Sequence, residues 1–120
     1  MKIIIGLPGS GREFLATKLA NNESIIIYEP ISLDEICEKT IDELMSVILI
    51  DSSLCIPSVR GDFLAKLYFL GLNFEVFYFE NNPTQCKINS FHYPNKIKDI
   101  NILSPLYQIP VSQKTLKPYT

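Results

Sequence analysis

The sequence has no tryptophan, a single histidine, His92, and three cysteines, Cys37, Cys55 and Cys86, with no Cys-x-x-Cys pair among them. An odd number of widely spaced thiols argues against a disulfide scaffold or a zinc site and points to reduced core cysteines. One histidine restricts any triad or multi-histidine metal site to that residue. Its neighbours Phe91 and Tyr93 point to local packing instead, so no metal ligands are expected. An excess of charge of one sign is also absent, since 11 basic and 13 acidic side chains give a net charge of -2. That balance excludes a large basic face gripping duplex DNA by charge alone. Long hydrophobic runs are missing too. The apolar opening Met1 to Leu7 is cut by Pro8 and the glycines around it, far short of a signal-peptide core or a membrane span. No membrane partner is expected, and the chain reads as a soluble cytoplasmic protein.

What is present is a globular composition, with 47% hydrophobic and 20% charged residues in 120, enough for one domain with one core. Lys2 to Ile5, Ser24 to Tyr28, Val47 to Ile50 and Phe74 to Phe79 are short apolar runs that read as strands, the second ended by Pro30. Between them lie helical patterns. Arg12 to Ala20 places Leu15 and Leu19 one turn apart. Ser32 with Glu35 reads as a capping box opening a helix through Ile36, Ile41 and Leu44. Pro57 starts a helix whose stripe of Val59, Phe63, Leu67 and Leu70 stops at Gly71. The alternation of four strands with helices predicts an α/β layered domain with a mainly parallel sheet flanked by helices. Beyond Glu80 the pattern weakens to short helices over Pro83 to Ile88 and Lys96 to Leu106. The domain is therefore placed at residues 1–109, with an extended C-terminal tail at 110–120.

The strongest chemical signal is Gly6-Leu7-Pro8-Gly9-Ser10-Gly11-Arg12-Glu13, between the first strand and the first helix. It matches the G-x-x-x-x-G frame of a phosphate-binding loop in the context the motif requires. Small residues let backbone N–H groups converge on a phosphate, and the helix N-terminus adds the positive end of a dipole. Gly6, Pro8, Gly9, Ser10, Gly11, Arg12 and Glu13 are the candidate cofactor-binding residues. A working loop of this kind has lysine where Arg12 stands and serine or threonine where Glu13 stands. Arginine is a wide planar fork rather than a compact point charge. A carboxylate about 4 Å from a phosphate oxygen costs roughly 4 kcal/mol at an effective dielectric of about 20, close to a thousandfold in affinity. The bland alternative is a turn in which Arg12 pairs internally, for instance with Asp51, and no nucleotide binds.

Three blocks together resemble the small P-loop kinases encoded by bacteriophages, in particular the 5′-kinase domain of phage-type polynucleotide kinase. They are Ile3 to Gly11, then Val47 to Leu54 with Pro57 and Arg60 following, and Phe77 to Cys86. The resemblance covers residues 1 to about 90 and implies a three-layer P-loop NTPase-like fold. It also implies ATP with magnesium as cofactor, transfer of the γ-phosphoryl group to an acceptor hydroxyl such as a nucleic-acid end, and a location in the host cytoplasm. Asp51 matches the family's acidic residue after the strand beside the loop, which orients metal water or acceptor; its other reading is a helix-capping or turn aspartate followed by serines. The family's general base falls at Tyr28-Glu29-Pro30, where no aspartate stands, leaving Glu29 and Asp34 as replacements. Asp34 also suits the role of favouring a helix dipole. Asp51, Arg12 and Asp34 are thus the candidate catalytic residues.

The departures share a direction. Lysine, magnesium hydroxyl, general base and the lid arginines are missing or altered, and no arginine follows Pro83. Arg60, one residue out of register with a family arginine, reads as a solvated helix residue. The parts that build the fold are kept while those that perform the reaction are changed. The expectation is a degenerate P-loop kinase-like protein that keeps a phosphate or nucleotide site with weak or no phosphotransfer, and in which Glu13 puts magnesium ligation in doubt. Two alternatives stand beside it. One is an active small ATP-dependent polynucleotide or nucleoside kinase. The other is a phage protein-interaction module that docks a protein partner through an apolar patch near Phe91, Tyr93, Leu106, Tyr107 and Ile109.

Overall fold

Short apolar runs bounded by turns form strands because a buried backbone must pair its N–H and C=O groups, and side chains then alternate between the two faces. In a computed structural model describing residues 1–29 and 32–120, these runs become β1 (Lys2–Ile5), β2 (Ile25–Tyr28), β3 (Val47–Ile50) and β4 (Glu75–Phe79). Pro30, expected to end the second strand, lies outside the described residues. A fifth strand, β5 (Thr115–Leu116), comes from the tail. The sheet has the order β2-β3-β1-β4-β5, and every pairing is parallel. The four-stranded sheet read from the sequence is therefore one strand short. Two residues in a polar stretch carry no strand signal of their own, and their pairing is set by the open edge of β4.

The helices are α1 (Arg12–Leu19), α2 (Leu33–Cys37), α3 (Ile41–Met45), α4 (Pro57–Phe69), α5 (Pro83–Asn89) and α6 (Pro94–Leu103), with a 3-10 turn at Ser52–Cys55. The single helix expected from Ser32 onward is two. Ser32 accepts from the Glu35 N–H, but Thr40 and Glu43 form a full capping box that starts a fresh helix. Helix α4 begins at Pro57 as expected. At its end Leu72 N–H reaches Leu67 C=O and Gly71 N–H reaches Tyr68 C=O, with Gly71 at φ 77°, the paired bonds that satisfy a helix's last carbonyls.

Alternation splits the strands between two cores. Ile3, Ile5, Val47, Leu49 and Tyr78 face one way and pack with Ile36, Leu44, Phe63, Leu67, Cys86 and Ile100 from five helices. Ile4, Ile48, Ile50 and Phe79 face the other way, against Leu15, Ala16 and Leu19 of α1. Ile3, Ile4 and Ile5 are fully buried, and each such side chain contributes about 1.5–3 kcal/mol by leaving water. Both sides of β1 are thus covered, and the loop after it starts from the central strand of the sheet. Arg60, read as solvated, is buried. Its guanidinium donates to the Gln108 and Leu54 carbonyls, at 2.7 and 3.4 Å, and lies 5.5 Å from the centre of the Tyr78 ring.

Candidate functional site

The loop from Gly6 to Gly11 leaves the carboxyl end of β1 in the middle of the sheet, where parallel α/β sheets place their ligand crevices. It turns at Leu7 to Ser10, with Ser10 N–H donating to Leu7 C=O at 3.2 Å. Gly9 and Gly11 have φ of 84° and 101°, conformations that a side chain makes costly. Space forbids a side chain as well. A Cβ on Gly9 would strike the Ser90 hydroxyl and the Cys86 carbonyl, and one on Gly11 would come within 2.8 Å of the Tyr119 ring. Helix α1 starts directly after Gly11 with no side-chain cap, so its first amides are not satisfied by a capping side chain. Ser10 is fully buried, and its hydroxyl has no partner among the described residues.

Arg12 is engaged outside the loop, while its Nε has no partner among the described residues. The residue is 3% exposed, donating from Nη1 to Ser52 Oγ at 2.8 Å and from Nη2 to Glu29 Oε1 at 2.9 Å. Ser52 completes the cluster: its N–H donates to Glu29 Oε2 at 2.8 Å and its hydroxyl donates to Oε1. Strand register brings the three together. Tyr28 pairs with Ile50, and Glu29 N–H donates to Ile50 C=O at 3.0 Å, so the first residue past β2 lies beside the first residues past β3. Burial alone pushes the Glu29 carboxyl up. The Arg12 guanidinium beside it, with the bonds from Ser52 and Arg12, outweighs burial and holds it below its ordinary value.

The other sequence candidates are placed differently. Asp51 is buried, and its Oδ1 accepts from the Ser53 N–H at 2.9 Å and the Ser53 hydroxyl at 2.8 Å, capping the 3-10 turn. The internal partner of Arg12 is consequently Glu29 and not Asp51, whose carboxylate is taken up by the turn that follows β3. Asp34 sits exposed in the first turn of α2 and accepts from Lys66 Nζ of α4 at 3.0 Å. It is not joined to the Arg12 cluster. Glu13 is exposed on α1 and lines a pocket of about 340 Å³ with Phe14, Thr17 and Lys18. Solvent around it lowers the repulsion expected against a phosphate toward the ~1 kcal/mol of bulk water.

Two residues with no signal in the sequence complete the loop's surroundings. Asn89 Nδ2, on α5, donates to the Gly9 carbonyl at 2.9 Å and to the Tyr119 carbonyl at 2.7 Å. Tyr119 N–H donates to the Ser10 carbonyl at 3.3 Å. Both contacts depend on how α5 and the tail return to the loop, which no local pattern encodes. The apolar patch expected near the C-terminal helices is reduced. Phe91, Tyr93 and Leu106 are exposed, but Tyr107 is buried, its hydroxyl donating to the Phe79 and Ile5 carbonyls.

The glycine cradle, the uncapped helix start and the orphaned Ser10 hydroxyl fit a phosphate group. Where a P-loop would place its magnesium hydroxyl and its lysine, this chain has the exposed Glu13 carboxylate and an Arg12 fork held by Glu29 and Ser52. Among the described residues, no cluster of three or more His, Cys, Asp or Glu could hold a metal ion. Nor is any helix there long and apolar enough to cross a membrane. No protein-family model matches the chain, and no curated protein matches it in sequence.

Proposed function

We propose that this chain is a degenerate P-loop kinase-like protein that holds a phosphate group weakly in its glycine loop and does not transfer phosphoryl groups. The observation that carries the reading is Arg12. The side chain at the position of the phosphate-reaching lysine is buried against Glu29 and Ser52. To reach a phosphate in the cradle it would have to give up a charge-assisted pair and leave a partly buried carboxylate behind, at a cost of about 1.5–3 kcal/mol or more. The phosphate-binding half of the reading is supported by the loop's backbone, which needs glycine at Gly9 and Gly11 and leaves α1 uncapped.

The same arrangement disfavours an active polynucleotide or nucleoside kinase. Glu29 replaces the missing general base in position, but three hydrogen bonds from Arg12 and Ser52 hold its carboxylate in place and its proton affinity below the ordinary value, which weakens it as a base. Amide NMR spectra recorded during titration with inorganic phosphate and with ATP test the reading. Shifts centred on Gly9–Glu13 and extending to the residues packed on that loop, saturating at about millimolar ligand (roughly -4 kcal/mol), are expected for both. Absence of shifts at these residues would overturn phosphate binding. Turnover of ATP against a 5′-hydroxyl oligonucleotide would overturn the loss of transfer.

A further inference from the structure

The tail packs onto the very loop that the phosphate reading uses. Strand β5 pairs with β4 through Tyr78↔Thr115 and Phe79↔Leu116, and Glu80 N–H donates to Leu116 C=O at 2.8 Å. This anchor sits on the strand next to β1 and sends the chain on to the glycine loop. Pro118 is buried. Tyr119 then bonds the Ser10 carbonyl through its N–H. Its own carbonyl shares the Asn89 amide with the Gly9 carbonyl, at 2.7 and 2.9 Å, and Asn89 is steadied by Gln85 Nε2 at 3.0 Å. The Tyr119 ring lies against Gly11 and stacks on Phe14, with centroids 6.4 Å apart and planes 29° from parallel. One short segment thus contacts Ser10 and Gly11 directly and is tied to Gly9 through Asn89.

Two buried hydroxyls have no partner among the described residues. They border the loop at different points, Ser10 Oγ against Gly6 and Ser90 Oγ against Gly9. A buried hydroxyl left unpaired is disfavoured, so the loop's surroundings hold bonding capacity that the tail does not satisfy. The tail's hold is modest. Past β5 it consists of a few hydrogen bonds, one of them long, the buried Pro118 and an exposed aromatic pair, the features of a segment that opens locally without unfolding the domain.

We propose that Lys117–Tyr119 is an occluding strap over the glycine loop, which a phosphate-bearing ligand must displace to bind. The proposal rests on the phosphate reading given above. A strap docked for about nine-tenths of the time lowers the apparent affinity of the loop about tenfold, because only the open fraction binds. Removing the Tyr119 ring weakens the strap by taking away its contacts to Gly11 and Phe14, without touching the sheet.

The test titrates inorganic pyrophosphate into the ¹⁵N-labelled full chain and into the full-length Tyr119→Ala and Asn89→Ala variants. Hydrogen exchange at the Tyr119 amide reports docking, and the Thr115 and Leu116 amides report that β5 stays paired. The strap predicts a Tyr119 amide in the parent chain that exchanges about tenfold more slowly than an unstructured one and speeds up as pyrophosphate binds, and affinity tighter in both variants, by up to about tenfold. Equal affinity in all three proteins, with Tyr119 still protected in the bound state, would overturn the strap and leave phosphate binding intact. Absence of pyrophosphate binding in all three would overturn the phosphate reading and the strap with it.

Discussion

Replacing Glu29 with glutamine isolates the contact on which the functional reading turns. The change keeps the side chain's shape and removes its charge, leaving the buried Arg12 side chain without its paired carboxylate. Truncating one partner of a fully buried pair costs about 3–5 kcal/mol, whereas an exposed pair is worth about 0–1 kcal/mol. Glu29's side chain is 33% exposed and Arg12's 4%, so Glu29→Gln should destabilise the fold by about 2 kcal/mol. With a urea m-value of about 1.5 kcal/mol/M, that lowers the unfolding midpoint by about 1.3 M. The pH dependence has a definite sign. Glu29's carboxyl is held below its ordinary value of 4.5, so its contribution is fully present above that value and is lost as pH falls through the folded-state value. Parent and variant curves should therefore differ at pH 7 and converge in acid. Adding Arg12→Met to Glu29→Gln should recover most of the loss, because no buried charge remains. A difference below about 0.5 kcal/mol at pH 7, or one that persists unchanged in acid, would refute the claim that this pair locks Arg12.

Further outcomes follow from individual contacts. Burial pushes the Cys55 thiol up to about 12 and the Cys86 thiol up to about 11, so a colourimetric thiol reagent at pH 8 should label half-buried Cys37 first and the other two only on unfolding; rapid labelling of all three in the native protein would contradict it. Gly11→Ala should destabilise by about 1–3 kcal/mol, since it forces a side chain into a φ of 101° and toward the Tyr119 ring; thermal melting reads the loss, and an unchanged midpoint would show that the loop adopts another conformation. Tyr107→Phe removes the hydroxyl that donates to the Phe79 and Ile5 carbonyls and should cost about 1–2 kcal/mol by urea titration; a neutral result would mean these carbonyls are satisfied elsewhere.

The central strands were legible in the sequence because burial on both faces leaves no polar position to blur the run. Val47–Ile50 is buried at all four residues, and the expected bounds of β3 match those observed. Helix ends written in proline and glycine were equally clear, as Pro57 and Gly71 show for α4. What escaped depends on contacts distant in sequence. Arg60 gives no sign of burial until the Gln108 carbonyl and Tyr78 ring close around it. The split between α2 and α3 was written in Thr40 and Glu43 but masked by the apolar spacing of Ile36, Ile41 and Leu44 that runs across both. At the candidate site, the composition of the loop named the cradle, yet the partner of Arg12 was decided by the β2–β3 register. One residue of slip in that pairing would move Glu29 away from Ser52 and give Arg12 a different neighbour. Tyr119 and Asn89 were invisible for the same reason, since their roles arise only when the tail pairs with β4.

The most direct test of the account is calorimetric titration of ATP into the parent chain with and without magnesium, beside the Arg12→Lys/Glu13→Thr variant. The account predicts weak binding by the parent, about millimolar and indifferent to magnesium, with magnesium-dependent tightening appearing in the variant. Tight, magnesium-dependent binding by the parent chain would contradict it, because a guanidinium committed to Glu29 and Ser52 and a carboxylate at position 13 could not then be what governs the loop.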